Sequence, residues 1–385
     1  MKLRSVKLEN FRSYKKLNIK IGKFKFVILT GKNGSGKTNL LEAISFLSPG
    51  RGIKNCTLNQ LINNNSNLSK STIFCNIDDG KEKNDIGIEF SNENSNSSIY
   101  KKKIHLNGKK IKKQSDLAEL ISVIWLTPEM DIFFRSNSMI RRKFIDRCIF
   151  NLNPIYLDFL KVYEKNLKER NKILRDLSEK DFFYEEGKNK EKDLWLEKVE
   201  ERLVNEGTKI LLERIKFLEN FNSITNSFEN FPKIKVSFEG KIEEVLKNKE
   251  IELFKEQYIK KLHISRKIDS IKKSISYGPN KSDIKVIFLK KNIFAEDCST
   301  GEQKIILISL IVRFCKLMNN QNYSPILLLD EVFAHLDDKI KVSLFKELKD
   351  LKNQVWMSGA DLNLFSPIIK DKEITNLKIE DLVKE

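Results

Sequence analysis

Scarcity narrows the chemistry of this sequence first. Its 385 residues include five cysteines, Cys56, Cys75, Cys148, Cys298 and Cys315, an odd number with wide spacing. They form no Cys-x-x-Cys pair and no Cys/His cluster, so neither a disulfide framework nor a zinc site is expected, which suits a reducing compartment. Histidine is scarcer, at three. Long apolar runs are missing as well: the opening MKLRSVKLENFRSY alternates apolar and polar residues, unlike a signal peptide, and no later stretch approaches a membrane span. The expectation is a soluble, cytoplasmic protein without a membrane partner. No internal repeat is apparent.

Positive charge, by contrast, is abundant. A net charge of +18 suits a polyanionic partner, because Lys and Arg that neutralise phosphates release counterions and drive non-specific DNA binding. The excess is mostly Lys, in a chain rich in Asn and Ile, and genomic base composition gives the same picture; charge alone leaves both readings open. The length suggests about two domains of roughly 100–200 residues.

Along the chain, Leu3, Val6 and Leu8, then Ile19 and Ile21, then FKFVILT (24–30) read as strands. A helix is expected from the following glycine-rich loop through KTNLLEAISFL, with Leu40, Leu41, Ile44 and Leu47 at helical spacing. Residues 54–70 read as loop or short helix. STIFCNI, DIGIEF and SIYKKKIHLNGKKI read as strands, the last a hairpin turning at Asn107-Gly108, so an antiparallel sheet is expected beside the loop. From about 151 to 275 the pattern is helical and charged. One helix covers YLDFLKVYEKNLKERNKIL and another LWLEKVEERLVNEGTKILLERIKFL, where Leu196, Val199, Leu203 and Ile210 lie near heptad spacing. The polar SEKDFFYEEGKNKEKD between them reads as a hairpin tip. Helices of about 20–25 residues give an arm of only some 30–40 Å. KIKVSF reads as a strand and 242–262 as one amphipathic helix. A plain helical subdomain and a partner-binding arm fit this segment equally.

The chemistry starts at GKNGSGKT, Gly31 to Thr38, which matches G-x-x-x-x-G-K-[ST] between an apolar strand and an amphipathic helix. Gly31, Gly34 and Gly36 let backbone N–H groups, including those of Lys32, Asn33 and Ser35, close around phosphate oxygens. Lys37 reaches the β- and γ-phosphates, Thr38 supplies a Mg²⁺ ligand, and Asn39 follows in the first helical turn. Far downstream, Ile326 to Leu329 read as a buried parallel strand ending in Asp330, a Mg²⁺ holder through water, and Glu331, placed to polarise an attacking water. Between them, CSTGEQK (298–304) opens an apolar helical run. A helix start carrying Ser and Gly directs a hydroxyl and free N–H groups at an anion, although a plain Ser/Thr cap has the same appearance.

In this order of motifs the chain resembles the ABC-type ATPases, with Ser299-Thr300-Gly301-Glu302 similar to their signature motif. The absence of a long coiled coil or Cys-x-x-Cys hook between the motifs separates it from SMC proteins and their break-repair relatives. About 55 residues follow Asp330, too few for an appended nuclease domain. The chain resembles the RecF family, nearly end to end, through LENFRSY, GKNGSGKTNLLEAI, LSPGRG, LTPEMDIF, RRKFIDRCIF, YGPNKSD, STGEQK, LLLDEVFAHLD and QVWMSGADL. The chain departs from that family's pattern in two places: Asn280-Lys281 stand where His-Arg is usual, and Cys298 replaces the leading Leu of the signature.

The resemblance implies an α/β ABC-type P-loop ATPase head, a mixed sheet with helices plus an antiparallel subsheet, built from 1–130 and 276–385, with a mainly helical arm from 131 to 275. It implies an ATP- and Mg²⁺-dependent DNA-binding protein of recombinational repair and fork maintenance, with weak, DNA-stimulated ATPase activity used as a switch. It also implies an ATP-driven homodimer on duplex and gapped DNA that works with RecR and RecO to load RecA. The implied site residues are Gly31 to Asn39, Asp330 and Glu331 on one subunit, met across the interface by Ser299, Gly301 and Glu302 of the other, with Asp337 and His335 in the loop along that interface. Where transporters carry a switch histidine this chain has Ser358, in keeping with slow hydrolysis. Glu129 is a candidate for a metal or water contact and Arg51 for a phosphate or DNA contact, with a surface salt bridge the equal alternative for each. The competing class is a regulatory or structural SMC-like ATPase acting on a protein partner, its basic charge merely compositional.

Overall fold

Alternating apolar residues build the first sheet. In the computed structural model, which describes all residues except 64–68, 79, 81, 93–99, 113, 179–186, 188, 225–230, 248–249 and 383–385, strand β1 (Lys2–Phe11) pairs antiparallel with β2 (Tyr14–Lys20). A register shift between Leu3 and Ser5 lets Leu3 and Val6, three residues apart, both be buried, with Leu8 and Phe11 beyond them; a bulge permits this departure from strict alternation. β3 (Phe26–Thr30) is buried throughout, as a strand covered on both faces must be. It leads through the glycine-rich loop into α1 (Lys37–Ser45). β4 (Lys70–Asp78), β5 (Lys83–Asn92), β6 (Tyr100–Leu106) and β7 (Lys109–Lys110) extend the antiparallel sheet in the order β2-β1-β4-β5-β6-β7. Asn107 and Gly108, with φ of 50° and 78°, make the expected hairpin turn.

α2 (Gln114–Leu120) and β8 (Val123–Leu126) follow, then the helices α3 (Ser138–Leu152), α4 (Tyr156–Ser178) and α5 (Lys190–Ser223). Next come β9 (Ile234–Glu239), α6 (Lys241–Lys247), α7 (Ile251–Lys272), β10 (Asp283–Phe288) and β11 (Ile293–Phe294). The chain closes with α8 (Thr300–Asn320), β12 (Ile326–Leu329), α9 (Asp338–Asp350), β13 (Val355–Gly359), β14 (Ile374–Lys378) and α10 (Ile379–Leu382).

Two compact units result. The first comprises Met1–Asp131, Thr225–Pro232 and Thr300–Glu385. Beside its antiparallel sheet it holds a five-stranded parallel sheet ordered β14-β3-β13-β12-β8. Leu40, Leu41, Ile44 and Phe46, from α1 and the residue after it, are buried in one apolar cluster with residues of both sheets. Phe46 makes edge contacts with Phe11 and Phe90, ring centroids 6.4 and 4.9 Å away.

The second unit comprises Ile132–Ile224 and Lys233–Ser299. It takes in β10 and β11, which lie beyond residue 276, because β10 pairs with β9; the expected boundary at 276 separates strands that hydrogen-bond to each other. Two further expectations are corrected here. α5 has 34 residues, about 50 Å at ~1.5 Å per residue, rather than the 20–25 read from its apolar pattern. The segment 242–262 is divided between α6 and α7. Of the expected hairpin tip, residues 179–186 and 188 lie outside the described residues, and 190–193 already belong to α5.

α4, α5 and α7 are tied by a fully buried charge cluster. Arg170 donates to Glu200 at 2.8 Å and to Asp269 at 2.7 Å, and Arg266 donates to Glu200 at 2.7 Å. The YGPNKSD segment forms a second knot: Arg214 donates to the Pro279 carbonyl at 2.7 Å and pairs with Asp146, while Arg141 pairs with Asp283. Asn280 accepts a hydrogen bond from Tyr163 at 3.0 Å. A Cβ on Gly278 (φ 147°) would lie 2.8 Å from the Tyr258 hydroxyl. At Asn280, one of the two positions that depart from the usual motif, the side chain thus has a local packing role.

Candidate functional site

Parallel strands present all their carboxyl ends at one edge, and the loops leaving that edge form the site. Register sets the neighbours: Gly359 lies opposite Thr30, Met357 opposite Leu329, and Leu329 opposite Leu126. The loop after β3, the Asp330-Glu331 pair after β12 and Ser358 near the end of β13 therefore open side by side.

The loop Gly31–Gly36 is built on left-handed backbone that only glycine tolerates well: φ is 82° at Gly34 and 107° at Gly36. A Cβ on Gly36 would fall 2.6 Å from the Tyr14 hydroxyl, which donates to the Gly36 carbonyl at 2.9 Å. Lys37, almost fully buried, donates to the carbonyls of Gly31 (2.6 Å) and Lys32 (3.0 Å), so its ammonium caps the mouth of the loop. The Ser35 hydroxyl is buried and has no hydrogen-bond partner among the described residues. Asn39 donates to the Ser13 hydroxyl at 2.9 Å, linking α1 to the β1–β2 turn. Arg12 in that turn forms a two-pronged ion pair with the fully buried Glu42 of α1, at 2.9 and 2.7 Å.

Opposite the loop, Thr38 donates through Oγ1 to Asp330 Oδ2 at 2.9 Å. The other carboxylate oxygen, Oδ1, accepts from Ser358 at 2.5 Å, and Ser358 Oγ accepts the Glu331 N–H at 2.9 Å. Glu331 has left-handed backbone, φ 52°, and begins the 3-10 turn Val332–His335. This conformation is uncommon outside glycine and turns the chain sharply at the sheet edge. The Thr38–Asp330 pair and the Lys37 ammonium together form a hard-oxygen and cationic surface suited to a phosphate chain with a divalent cation.

Thr38, Asp330 and Glu331 are thus brought together within one unit by direct or shared hydrogen bonds, and Lys37 precedes Thr38 in the chain. Ser299, Thr300 and Gly301 are exposed at the start of α8, and among the described residues no atom outside the helix's own backbone and the adjoining residues lies within 4 Å of the position a Gly301 Cβ would take. Glu302 is half-buried, and the helix behind it is buried from Ile306 to Cys315. Asp337 caps α9, accepting the Ile340 N–H at 2.9 Å. Glu129 is exposed. Arg51 lines a cavity of about 370 Å³ with Lys102, Tyr100 and Thr57.

Three contributors escape a motif reading. Ser358 is noticed only as a missing histidine, yet it bridges Asp330 and Glu331. Tyr14 opens β2, and its contact with Gly36 depends on how the antiparallel sheet packs beside the loop. Glu380, near the end of the chain, accepts the Lys32 N–H at 2.7 Å; no local pattern marks it, because only the pairing of β14 with β3 brings it there.

The RecF/RecN/SMC N terminal domain model matches residues 2–366. Over 368 residues the chain is 36% identical to the DNA replication and repair protein RecF of Rickettsia typhi, covering 94% of this chain and 95% of that one. Identity to the RecF protein of Agrobacterium fabrum is 32% over 381 residues, covering 97% and 96%. A solved structure of the recombination mediator protein RecF-ATPrS in the RecFOR pathway has the same fold, with a TM-score of 0.81 over 98% of this chain and 96% of that chain at 23% identity. With an ABC-type ATPase head that carries its glycine-rich loop and Asp-Glu strand end at one sheet edge, the chain belongs to the RecF family of DNA replication and repair proteins.

Proposed function

We propose that this chain is an ATP-dependent DNA-binding protein of recombinational repair whose nucleotide site acts as a switch. The observation that carries this reading is the hydrogen bond between Thr38 and Asp330 directly beside the Lys37-capped loop. The residues fit the implied groups: the unpartnered Ser35 hydroxyl and glycine cradle suit phosphate oxygens. Among the described residues no cluster of three or more His, Cys, Asp or Glu could hold a metal by itself. A Mg²⁺ ion here would therefore use Thr38, Asp330 and ligand oxygens, the arrangement of nucleotide sites. When bound, the ion would neutralise charge developing on the γ-phosphate.

Lys37 would leave its loop carbonyls for the β- and γ-phosphates. Loop N–H groups from Gly34 to Asn39 would hold the phosphate chain. Glu331 would orient the attacking water, its backbone fixed through Ser358 to Asp330. Ser299, Gly301 and Glu302 of a second copy would complete each site, with Asp337 at the interface, because an exposed helix start carrying Ser and Gly matches an anion presented from outside. ATP would then favour the closed dimer by its differential affinity for it. The net charge of +18 supplies the attraction to duplex and gapped DNA, where the dimer would act with RecR and RecO in loading RecA. Slow hydrolysis would reset it.

The test is binding to duplex DNA against salt concentration, with and without ATP. A steep negative slope of log affinity on log salt, and tighter binding with ATP, is the expected result. Salt-independent or absent DNA binding would instead favour a protein partner.

A further inference from the structure

We propose that Glu380, in the short helix α10, is a positioning residue of the phosphate loop, and that β14 is a working part of the nucleotide site. The inference rests on the reading of Gly31–Thr38 as that site. Its basis is register. β14 runs parallel to β3, with Ile374 opposite Phe26 and Lys378 opposite Thr30. Continuing both chains by two residues sets Glu380 beside Lys32, and there its Oε1 accepts the Lys32 N–H at 2.7 Å.

Two anchors hold this alignment. Thr30 donates to the Asn376 side chain at 3.1 Å, and Ile379 is fully buried in the apolar cluster that includes α1. Glu380 is thereby hung between a zipped strand and a buried isoleucine. Its carboxylate closes the loop from outside: a Cβ on Gly31 would lie 2.9 Å from Glu380 Oε2 and 2.7 Å from Ser35 Oγ. The Lys32 N–H, with the charge of Lys378 and Lys37, holds the carboxyl below the ordinary carboxylate range. It is therefore ionised wherever the protein is studied near neutrality.

The N–H that Glu380 engages is the second of the loop. Pinning it fixes where the turn begins, so the carbonyls of Gly31 and Lys32, on which Lys37 rests, are fixed as well. A loop already ordered at its start loses less entropy on closing around phosphates. The carboxylate also carries a cost, since it faces the same anion. Hydrogen bonding and charge thus act in opposite directions, and they can be separated, because glutamine keeps the accepting oxygen without the charge.

The experiment compares wild type, Glu380→Gln and Glu380→Ala by calorimetric titration with ATP and by amide hydrogen exchange of the nucleotide-free protein over the peptide containing Lys32. For Glu380→Ala the expected result is about tenfold weaker ATP binding, the scale of one charge-assisted hydrogen bond, with faster exchange at the loop. For Glu380→Gln it is affinity equal to or tighter than wild type, with exchange protection retained. Unchanged affinity and exchange in Glu380→Ala, or a glutamine variant as weak as alanine, overturns the proposal. Wild-type protein that binds no ATP would overturn the nucleotide-site reading instead, while the exchange measurement on the nucleotide-free protein still decides whether Glu380 pins the loop.

Discussion

Ser358 donates to Asp330 at 2.5 Å, and the same hydroxyl accepts the Glu331 N–H at 2.9 Å. One side chain from β13 thereby orients the carboxylate proposed to hold Mg²⁺ and the backbone of the residue proposed to position water. Ser358→Ala leaves Asp330, 3% exposed, with one oxygen short of its partner. Partners of metal-holding carboxylates typically contribute 10–100-fold. ATPase activity and Mg²⁺ dependence should weaken by about that range, with nucleotide binding in the absence of Mg²⁺ nearly unchanged, as titrations with and without the cation would show.

Lys37→Met removes the ammonium that caps the loop and would otherwise meet the phosphates. Loss of two charge-assisted hydrogen bonds is worth about 3 kcal/mol, or roughly a hundredfold in Kd. Calorimetry with ATP reads it directly, and circular dichroism should show an intact fold. Nucleotide affinity at the wild-type level would contradict the phosphate-loop assignment.

Glu331→Gln keeps the shape of the turn and removes the charge that would polarise water. Hydrolysis should slow by about 10²-fold, the lower range for general-base groups, and the ATP-bound form should persist longer. Turnover at the wild-type rate would exclude Glu331 from the chemistry.

In the second unit, Glu200→Ala would leave the fully buried Arg170, and Arg266 beside it, without the carboxylate they share. Breaking such a cluster from one side costs about 3–5 kcal/mol, because an uncompensated charge stays buried. A lowered urea midpoint, followed by a probe on α4 or α5, is the expected result. An unchanged midpoint would mean that water reaches the cluster.

Much of this is legible in the sequence because the relevant signals are local. The glycine loop, the apolar strand ending in Asp330 and the Asn107-Gly108 turn each state their own backbone conformation. The strands β1, β2, β4 and β5 follow from alternation, and β3 and β12 from unbroken apolar runs. What escapes is set by distant pairing. The length of α5 is one such case: its last turn lies beyond the apolar stripe and carries Asn222, which exchanges two hydrogen bonds with the backbone of Val236 in β9, a partner in another element. The contacts of Ser358, Glu380 and Tyr14 depend on strand register and on sheet packing, and no short window contains both partners. The unit boundary differs for the same reason, since β10 completes a sheet begun by β9.

The central claim is that one chain holds only half of each ATP site. Sedimentation velocity of wild type and of Ser299→Arg, each with Mg²⁺ and with or without ATP, tests it most directly. The expected result is an ATP-dependent dimer for wild type, and for Ser299→Arg a monomer that still binds ATP with wild-type affinity. A Ser299→Arg protein that dimerises with ATP as wild type does, or a wild type that stays monomeric at saturating ATP, would contradict the account.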